Sequence, residues 1–315
     1  MAWFKKAVST DHTRAGASGL WATCPGCSRI LRDRDLATNL RVCPSCGHHL
    51  RLDGAARLRT LLDDGLWTEH DAGLTSTDPL KFTDRTPYPT RLEAAEATTG
   101  LRDAVITATG AIDGLVVEAA AMEFGFIGGS LGVVGAEKIT RAAERALQHH
   151  RPLLVICASS GARMMEGTLS LVQMAKVSAA LGRLDRARVP YVTVLTDPTT
   201  GAVAASLAML ADVTIAEPGA RIGFVGPRVI EHVGGHPPRG FQRSESLLEH
   251  GMVDMVVHRH ELRERLITVL GLLVNKGPQA DVVALTPTED AAALEMPEAP
   301  QGQDDGEATD ASPEE

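Results

Sequence analysis

Four cysteines, Cys24, Cys27, Cys43 and Cys46, constrain this chain more tightly than any other feature. Two residues separate the members of each pair and fifteen separate the pairs, a spacing that suits one tetrahedral metal ion. Each short gap lets a tight knuckle offer two sulfurs to the same ion. Pro25-Gly26 and Pro44-Ser45 fill the gaps with turn formers, and Gly47 follows the second pair, so backbone N–H groups can turn toward the sulfurs. Four thiolates leave no open coordination position, which points to a structural Zn2+ and away from metal chemistry on a substrate. His48 and His49 are the neighbouring alternative ligands. The competing reading is a pair of disulfides in a secreted protein, and it calls for an export signal that the opening Met-Ala-Trp-Phe-Lys-Lys does not supply. The expectation is a zinc ribbon in a reducing, cytoplasmic setting.

At 315 residues and 44% hydrophobic content, the chain has room for a small metal module and one large domain with its own core. The longest nearly unbroken apolar stretch, 201–211, is too short and too rich in alanine to cross a bilayer. The fifth cysteine, Cys157, ends the run Leu153-Leu154-Val155-Ile156 and reads as a buried, inert thiol. The net charge of −9 is misleading as a whole-chain property, because residues 277–315 hold eleven Asp/Glu and no Lys/Arg, leaving the rest at +2. That acidic segment has few large apolar residues after Leu285 and is expected to stay disordered. Residues 1–56 lean the other way, with eight Lys/Arg against four Asp. A basic ribbon is compatible with weak binding of nucleic acid or of a coenzyme's phosphates, although no aromatic residues interleave the basic ones to stack bases.

Beyond the ribbon, Ala55 to Asp64 reads as a short helix and the proline-punctuated stretch 71–90 as connection. Two β-rich runs, 105–109 and 115–119, flank Ile112-Asp113-Gly114, a hairpin signal. A helix is expected over 136–149 with Ile139, Ala142, Ala143 and Leu147 on its apolar face, then a buried strand over 153–158. A second helix follows from Arg163 to about Arg183, with Leu169, Val172, Ala175 and Ala179 as its stripe. Another buried strand covers 191–195, and another helix 201–210. Strands buried without alternation, interleaved with helices, define an α/β domain. Small residues sit between strand and helix twice, at Ser159-Ser160-Gly161-Ala162 and at Asp197 to Ala202, where free N–H groups could hold an oxyanion. Gly128-Gly129 is the third glycine-rich turn. An ordinary N-capped turn is the alternative for either site alone.

Several of these strings, taken in order, resemble the beta subunit family of the bacterial acetyl-coenzyme A carboxylase carboxyltransferase. Behind the four-cysteine ribbon they are Met122-Glu123-Phe124 leading into Gly128-Gly129-Ser130, Ser160-Gly161-Ala162-Arg163-Met164, and Gln173-Met174-Ala175-Lys176. Thr196-Asp197-Pro198-Thr199-Thr200-Gly201, Gly226-Pro227-Arg228-Val229-Ile230-Glu231 and Gly240-Phe241-Gln242-Arg243-Ser244-Glu245 extend the likeness, which covers roughly residues 1–272. The resemblance implies an α/β fold of the ClpP/crotonase type, with repeated ββα units behind the ribbon. The layout expected is a zinc ribbon over 1–56, a connecting segment over 57–90, a crotonase-like carboxyltransferase domain over 91–276 and the acidic tail over 277–315.

The same resemblance implies a reaction. A carboxyl group passes from carboxybiotin, borne by a biotin carboxyl carrier protein, to acetyl-CoA, giving malonyl-CoA for fatty acid synthesis. A homologous alpha subunit completes the site in an α2β2 assembly, and biotin carboxylase, another subunit of the complex, uses the ATP. Both an enolate and a ureido oxyanion then need fixed donors in a dry site. Because the decarboxylated biotin nitrogen can accept the methyl proton, no side-chain base is required. Gly161 with Ser160, and Gly201 with Ala202, are the expected backbone donor turns. Gly128 and Gly129 are expected to allow close approach of the thioester arm, and Arg228 and Arg243 to meet coenzyme A phosphates. Where the family usually shows Gly-Gly, this chain has Ser160-Gly161 and Gly201-Ala202, and where it shows Met-Gln-Glu the chain has Met164-Met165-Glu166. Ser160 or Ala202 would be strained if its position required positive φ. Rival readings are a carboxyltransferase for another acyl-CoA such as propionyl-CoA, a non-catalytic zinc-ribbon protein that binds nucleic acid, and a free-standing crotonase-type hydratase or decarboxylase.

Overall fold

The computed structural model describes residues 21–225, 230 and 240–274, so Arg228 and the acidic segment 277–315 lie outside the described residues. The ribbon opens with β1 (Trp21–Thr23) paired antiparallel to β2 (Ile30–Arg32), and α1 (Asp33–Thr38) follows. A single bridge between Val42 and His49 closes the second knuckle in the same manner. α2 (Gly54–Leu61) starts where the Asp53 carboxylate accepts the Ala56 N–H at 2.7 Å, an N-cap that satisfies one orphan donor of the first turn.

One seven-strand path forms the centre of the body: β10 (Met255–Val256), β8 (Val213–Ala216), β7 (Tyr191–Thr200), β6 (Leu153–Ser159), β5 (Leu115–Met122), β4 (Val105–Ile112) and β3 (Thr68–His70). The short β9 (Ile222–Gly223) pairs with the far end of β7. Pairing is parallel from β5 through β10 and antiparallel among β3, β4 and β5. The β4–β5 hairpin turns at Asp113 (φ 52°) and Gly114 (φ 76°), and these two positive φ values are what Asp-Gly supplies. Parallel strands must be covered on both faces, and all seven residues of β6 are buried.

Successive strand residues point to opposite faces, so the sheet separates two cores. On one side Ala120, Met122, Leu153, Val155 and Leu195 pack with Ile139, Ala142 and Ala143 of α4 (Val133–His149) and with Val177 and Leu181 of α5 (Thr168–Arg186). On the other, Ala119, Ala121, Leu154, Ile156, Val192 and Val194 pack with Leu58 and Leu61 of α2 and with Leu262, Leu266 and Leu270 of the last described helix, Leu262–Val274. Cys157 is fully buried in the first core, and burial pushes its thiol up to about 12, which keeps it inert.

Four expectations are corrected. The segment 57–90, read as connection, is woven into the body: β3 pairs with β4, Leu58 and Leu61 sit in the core, and α3 (Tyr88–Thr99) crosses position 91. β7 runs on to Thr200 rather than ending at Leu195, because Thr199 and Thr200 gain partners in Ile222 and Gly223 of β9. The stripe read as the buried face of α5 points outward: Val172 is 64% exposed and Leu169 37%. The face that packs is Met174, Val177, Leu181 and Leu184. Both faces of this helix are apolar, and the one with larger side chains removes more area from water when it is turned inward. Its start shifts as well, from Arg163 to Thr168, since Gly167 at φ 53° and ψ −134° breaks the helical path.

Candidate active site and metal centre

The ribbon's four sulfurs lie within 4.8 Å of one another, and no disulfide joins them. Cys24 Sγ and Cys46 Sγ are 3.7 Å apart, and Cys27 Sγ and Cys43 Sγ are 3.8 Å apart. A regular tetrahedron built on zinc–sulfur bonds of about 2.3 Å has edges of about 3.8 Å, so the donor set fits one Zn2+. The Cys24 carbonyl accepts the Ser28 N–H, and the Cys43 carbonyl accepts the Gly47 N–H, at 2.8 and 2.9 Å, which closes each knuckle. His48 is not needed to complete four sulfurs, and the buried His49 ring makes no hydrogen bond among the described residues, its Nδ1 standing 3.7 Å from Glu217 Oε2. The ion supplies cross-linking of two knuckles that have little core of their own.

A buried ionic knot holds the ribbon to the body, and sequence reading gave no hint of it. Arg259 forks onto Glu217 through Nε (2.7 Å) and Nη2 (2.6 Å), while its Nη1 donates to the Leu40 and Leu50 carbonyls of the ribbon at 2.7 and 3.0 Å. Arg57 adds a third bond to Glu217 at 2.9 Å and a fourth at 3.4 Å. Burial alone would raise the Glu217 carboxyl, but Arg57 and Arg259 hold it well below the usual carboxylate range.

Beyond the C-terminal ends of β5, β6 and β7, at the same edge of the parallel strands as Glu217, the three glycine-rich turns meet. A Cβ built on Gly201 would stand 3.1 Å from the Gly161 Cα, and one on Gly128 would stand 3.0 Å from the Ser160 Oγ. One on Gly129 would lie only 2.0 Å from the Ala158 carbonyl oxygen. Gly161 (φ 115°) and Gly201 (φ 67°) carry the positive φ values of their turns, whereas Ser160 and Ala202 do not. The two departures from Gly-Gly therefore fall on the position in each pair that tolerates a side chain, and neither is strained.

Of the four expected donor residues, Gly161, Ser160 and Gly201 have their N–H groups engaged, and Ala202 does not. The Gly161 N–H, expected to face an oxyanion, donates to Ser159 Oγ at 3.0 Å, and the Gly201 N–H donates to the Gly223 carbonyl at 3.0 Å. The Ser160 N–H is also engaged, with the Gly128 carbonyl at 2.9 Å. What remains without a partner among the described residues is the amide of Ala162 in one turn and that of Ala202, the first residue of α6 (Ala202–Ser206), in the other. Ala202 was among the expected donors; Ala162 was only part of the turn. Geometry explains the first. Leu131 and Ala162 form a parallel bridge in which Leu131 N–H bonds the Gly161 carbonyl and Arg163 N–H bonds the Leu131 carbonyl. The N–H of the bridged residue itself then points away from the pairing edge. Arg243 is half-buried, with Nη1 donating to the Gly219 carbonyl at 2.6 Å.

Comparison with known proteins bears on the same regions. A carboxyl transferase domain family model matches residues 81–282, and an acetyl-CoA carboxylase zinc finger domain model matches residues 21–46. The chain is 50% identical over 279 residues to an acetyl-coenzyme A carboxylase carboxyl transferase subunit beta of Pelobacter propionicus, covering 87% of this chain and 98% of that one. It is 48% identical over 279 residues to the same subunit of Citrifermentans bemidjiense, covering 87% and 99%. Among solved structures, a Pseudomonas malonate decarboxylase hetero-tetramer in complex with malonate matches with a TM-score of 0.58 at 29% identity, over 79% of this chain and 92% of that one. Transcarboxylase 12S matches with a TM-score of 0.59 at 27% identity, over 71% of this chain and 41% of that longer one.

Sheet, turns and family match define a carboxyl transferase of crotonase-like α/β fold carrying a zinc ribbon. Its structural cofactor is the ribbon's zinc, and biotin arrives on a partner. The chain belongs to the family of acetyl-coenzyme A carboxylase carboxyl transferase beta subunits.

Proposed function

We propose that this chain works with an alpha subunit to move a carboxyl group from carboxybiotin to acetyl-CoA, and that the free Ala162 and Ala202 amides hold the two oxyanions of that transfer. In the reaction the nitrogen–carboxyl bond of the carrier's biotin breaks, the acetyl methyl carbon forms a bond to the released carbon dioxide, and the methyl proton goes to the biotin nitrogen. Negative charge develops on the thioester oxygen and on the ureido oxygen. Two open main-chain donors on adjoining turns, fixed before the substrates arrive, are the observation that carries this reading. Gly128 and Gly129 border the same place, and no side-chain base is required when biotin takes the proton.

The exposed stripe of α5 supports an alpha subunit as partner. Met164 (82% exposed), Leu169 and Val172 lie just beyond the Ser160–Ala162 turn on the chain, so a subunit covering them would also wall the site. The malonate decarboxylase neighbour is described as a hetero-tetramer, and another malonate decarboxylase structure as a hetero-dimer. We further propose an α2β2 assembly that also meets the biotin carrier and biotin carboxylase, a cytoplasmic setting, and coenzyme A phosphate contacts at Arg228 and Arg243. No helix among the described residues is long and apolar enough to cross a membrane. The ribbon and the catalytic body of the proposed layout have support from the two family matches, 21–46 and 81–282, the second of which runs past the proposed start of the acidic tail at 277.

The test is co-expression of the chain with its alpha subunit and an assay of malonyl-CoA-dependent carboxylation of free biotin. Activity in the mixture and in neither subunit alone is expected. An inactive, well-folded complex sinks the reading, and turnover of propionyl-CoA in preference to acetyl-CoA shifts it to the other acyl-CoA.

A further inference from the structure

Arg163 follows the free Ala162 amide, and its side chain is fully buried. A lone buried guanidinium is costly, so its partners reveal what the fold gains from it. Nη1 donates to Asp103 Oδ2 at 2.7 Å, to Ser76 Oγ at 3.1 Å and to the Tyr88 hydroxyl at 3.2 Å. Nη2 donates to the Ser130 carbonyl at 2.8 Å, and Nε to Ser130 Oγ at 3.3 Å. Glu166 backs this group: Oε1 accepts from the Tyr88 hydroxyl at 2.7 Å and from Ser76 Oγ at 3.0 Å, and Oε2 accepts the Val133 N–H at the start of α4 at 2.5 Å. Arg163 and Asp103 are both fully buried and Glu166 nearly so, so this is an interior network and not a surface ion pair.

Its place in the fold matters more than its strength. Ser130 directly follows Gly128-Gly129, and Arg163 directly follows Gly161-Ala162. Three main-chain bonds already zip these two segments together: Ser160 N–H to Gly128 O, Leu131 N–H to Gly161 O and Arg163 N–H to Leu131 O. The guanidinium then clamps Ser130 from the side and ties both turns to Asp103, immediately before β4, and to Tyr88, at the start of α3. Ala162 thus sits between two residues whose main chains are pinned, and the direction of its N–H is set by them.

We infer that Arg163 is a positioning residue for carboxyl transfer, which aims the Ala162 N–H at the reacting oxygen by locking the 160–163 turn onto the 128–131 turn. The inference rests on the proposed transfer reaction. It does not require Arg163 to touch substrate. An amide misplaced by an ångström loses most of its value to a developing oxyanion while ground-state binding through other contacts survives.

The test uses the complex with the alpha subunit, malonyl-CoA-dependent carboxylation of biotin, and calorimetric malonyl-CoA binding whose stoichiometry counts folded sites. Arg163→Met is expected to lower kcat by about 10²-fold while binding stoichiometry stays at the wild-type value and KM moves less than about threefold. Arg163→Lys, which keeps the charge toward Asp103 but cannot fork to Ser130, is expected to recover part of kcat. The inference is overturned if Arg163→Met keeps kcat within about threefold, or if kcat and stoichiometry fall in step, as a purely structural role demands. If Arg163→Met does not fold, Ser130→Ala and Tyr88→Phe decide, since each removes a bond to Arg163 and strands no charge. A kcat loss of at least about threefold at full stoichiometry supports the inference, and unchanged kcat in both overturns it. An inactive wild-type complex in the control arm would instead bring down the transfer reading itself.

Discussion

Replacing Glu217 with glutamine should unseat the ribbon from the body, and the cost can be worked from the contacts. Glu217, Arg57 and Arg259 keep 2%, 4% and 3% of their side-chain surface exposed, so water cannot replace what is lost. Glutamine keeps the shape but leaves two buried guanidinium groups facing a neutral amide that can accept through one oxygen only. Breaking a buried ion pair from one side costs about 3–5 kcal/mol, because the stranded charges remain buried. For a chain of this size that corresponds to a fall in melting temperature of roughly 6–20 °C. Equilibrium denaturation in urea measures it directly. Replacing Glu217, Arg57 and Arg259 together by apolar residues of similar volume should cost less than Glu217→Gln alone, since no charge is then stranded. The pH dependence has a definite sign. The Glu217 carboxyl is held below its ordinary range, so its contribution is present above the unfolded value of about 4.5 and fades as pH falls through the lower folded value. Wild type and Glu217→Gln should therefore differ most near neutral pH and converge only in strong acid. A stability loss under about 1 kcal/mol at pH 7 would refute the idea that this knot is dry and energetically coupled.

Other expectations concern the turns and the partner face. Ala202→Pro deletes the open amide at the first position of α6, where proline is tolerated, so kcat should fall about 10²–10³-fold with the melting temperature nearly unchanged. Retained activity in that variant would remove Ala202 from the donor set. Gly201→Pro is a poorer probe than the sequence suggests, because Gly201 has φ 67° and its N–H already bonds Gly223, so damage to the fold would mask any effect on catalysis. Gly129→Ala places a methyl 2.0 Å from the Ala158 carbonyl at a residue with φ 63°, and should destabilise the chain by more than about 2 kcal/mol in urea; a soluble variant with unchanged midpoint would contradict the packing described. Val172→Asp on the outer face of α5 should leave the isolated chain's melting point within about 1–2 °C of wild type yet abolish co-purification of the alpha subunit. Normal assembly would place the interface elsewhere.

Features set by short stretches of sequence were legible without coordinates. The cysteine spacing carries the zinc site because two residues between thiols span one coordination edge, whatever surrounds them. Asp113-Gly114 carries the hairpin because only such residues take two positive φ values cheaply, and the apolar runs 153–158 and 191–195 carry two strands of a covered sheet because unbroken burial has no other outlet. The convergence of three glycine turns was also within reach, since parallel strands deliver their ends to one edge. What only the tertiary structure decided was orientation among alternatives of nearly equal local merit. α5 has two apolar faces, and the packing against α4 chose Met174 and Leu181 over Leu169 and Val172. Each turn has several N–H groups, and the pairing of Leu131 with Ala162 and of Gly201 with Gly223 determined which ones stay open. Arg163 with Asp103, and Glu217 with Arg57 and Arg259, are joined across 60, 160 and 42 positions of sequence. No local pattern encodes such partners, because a buried charge is stabilised by whichever opposite charge the folded chain brings beside it, and that is a property of the packed molecule.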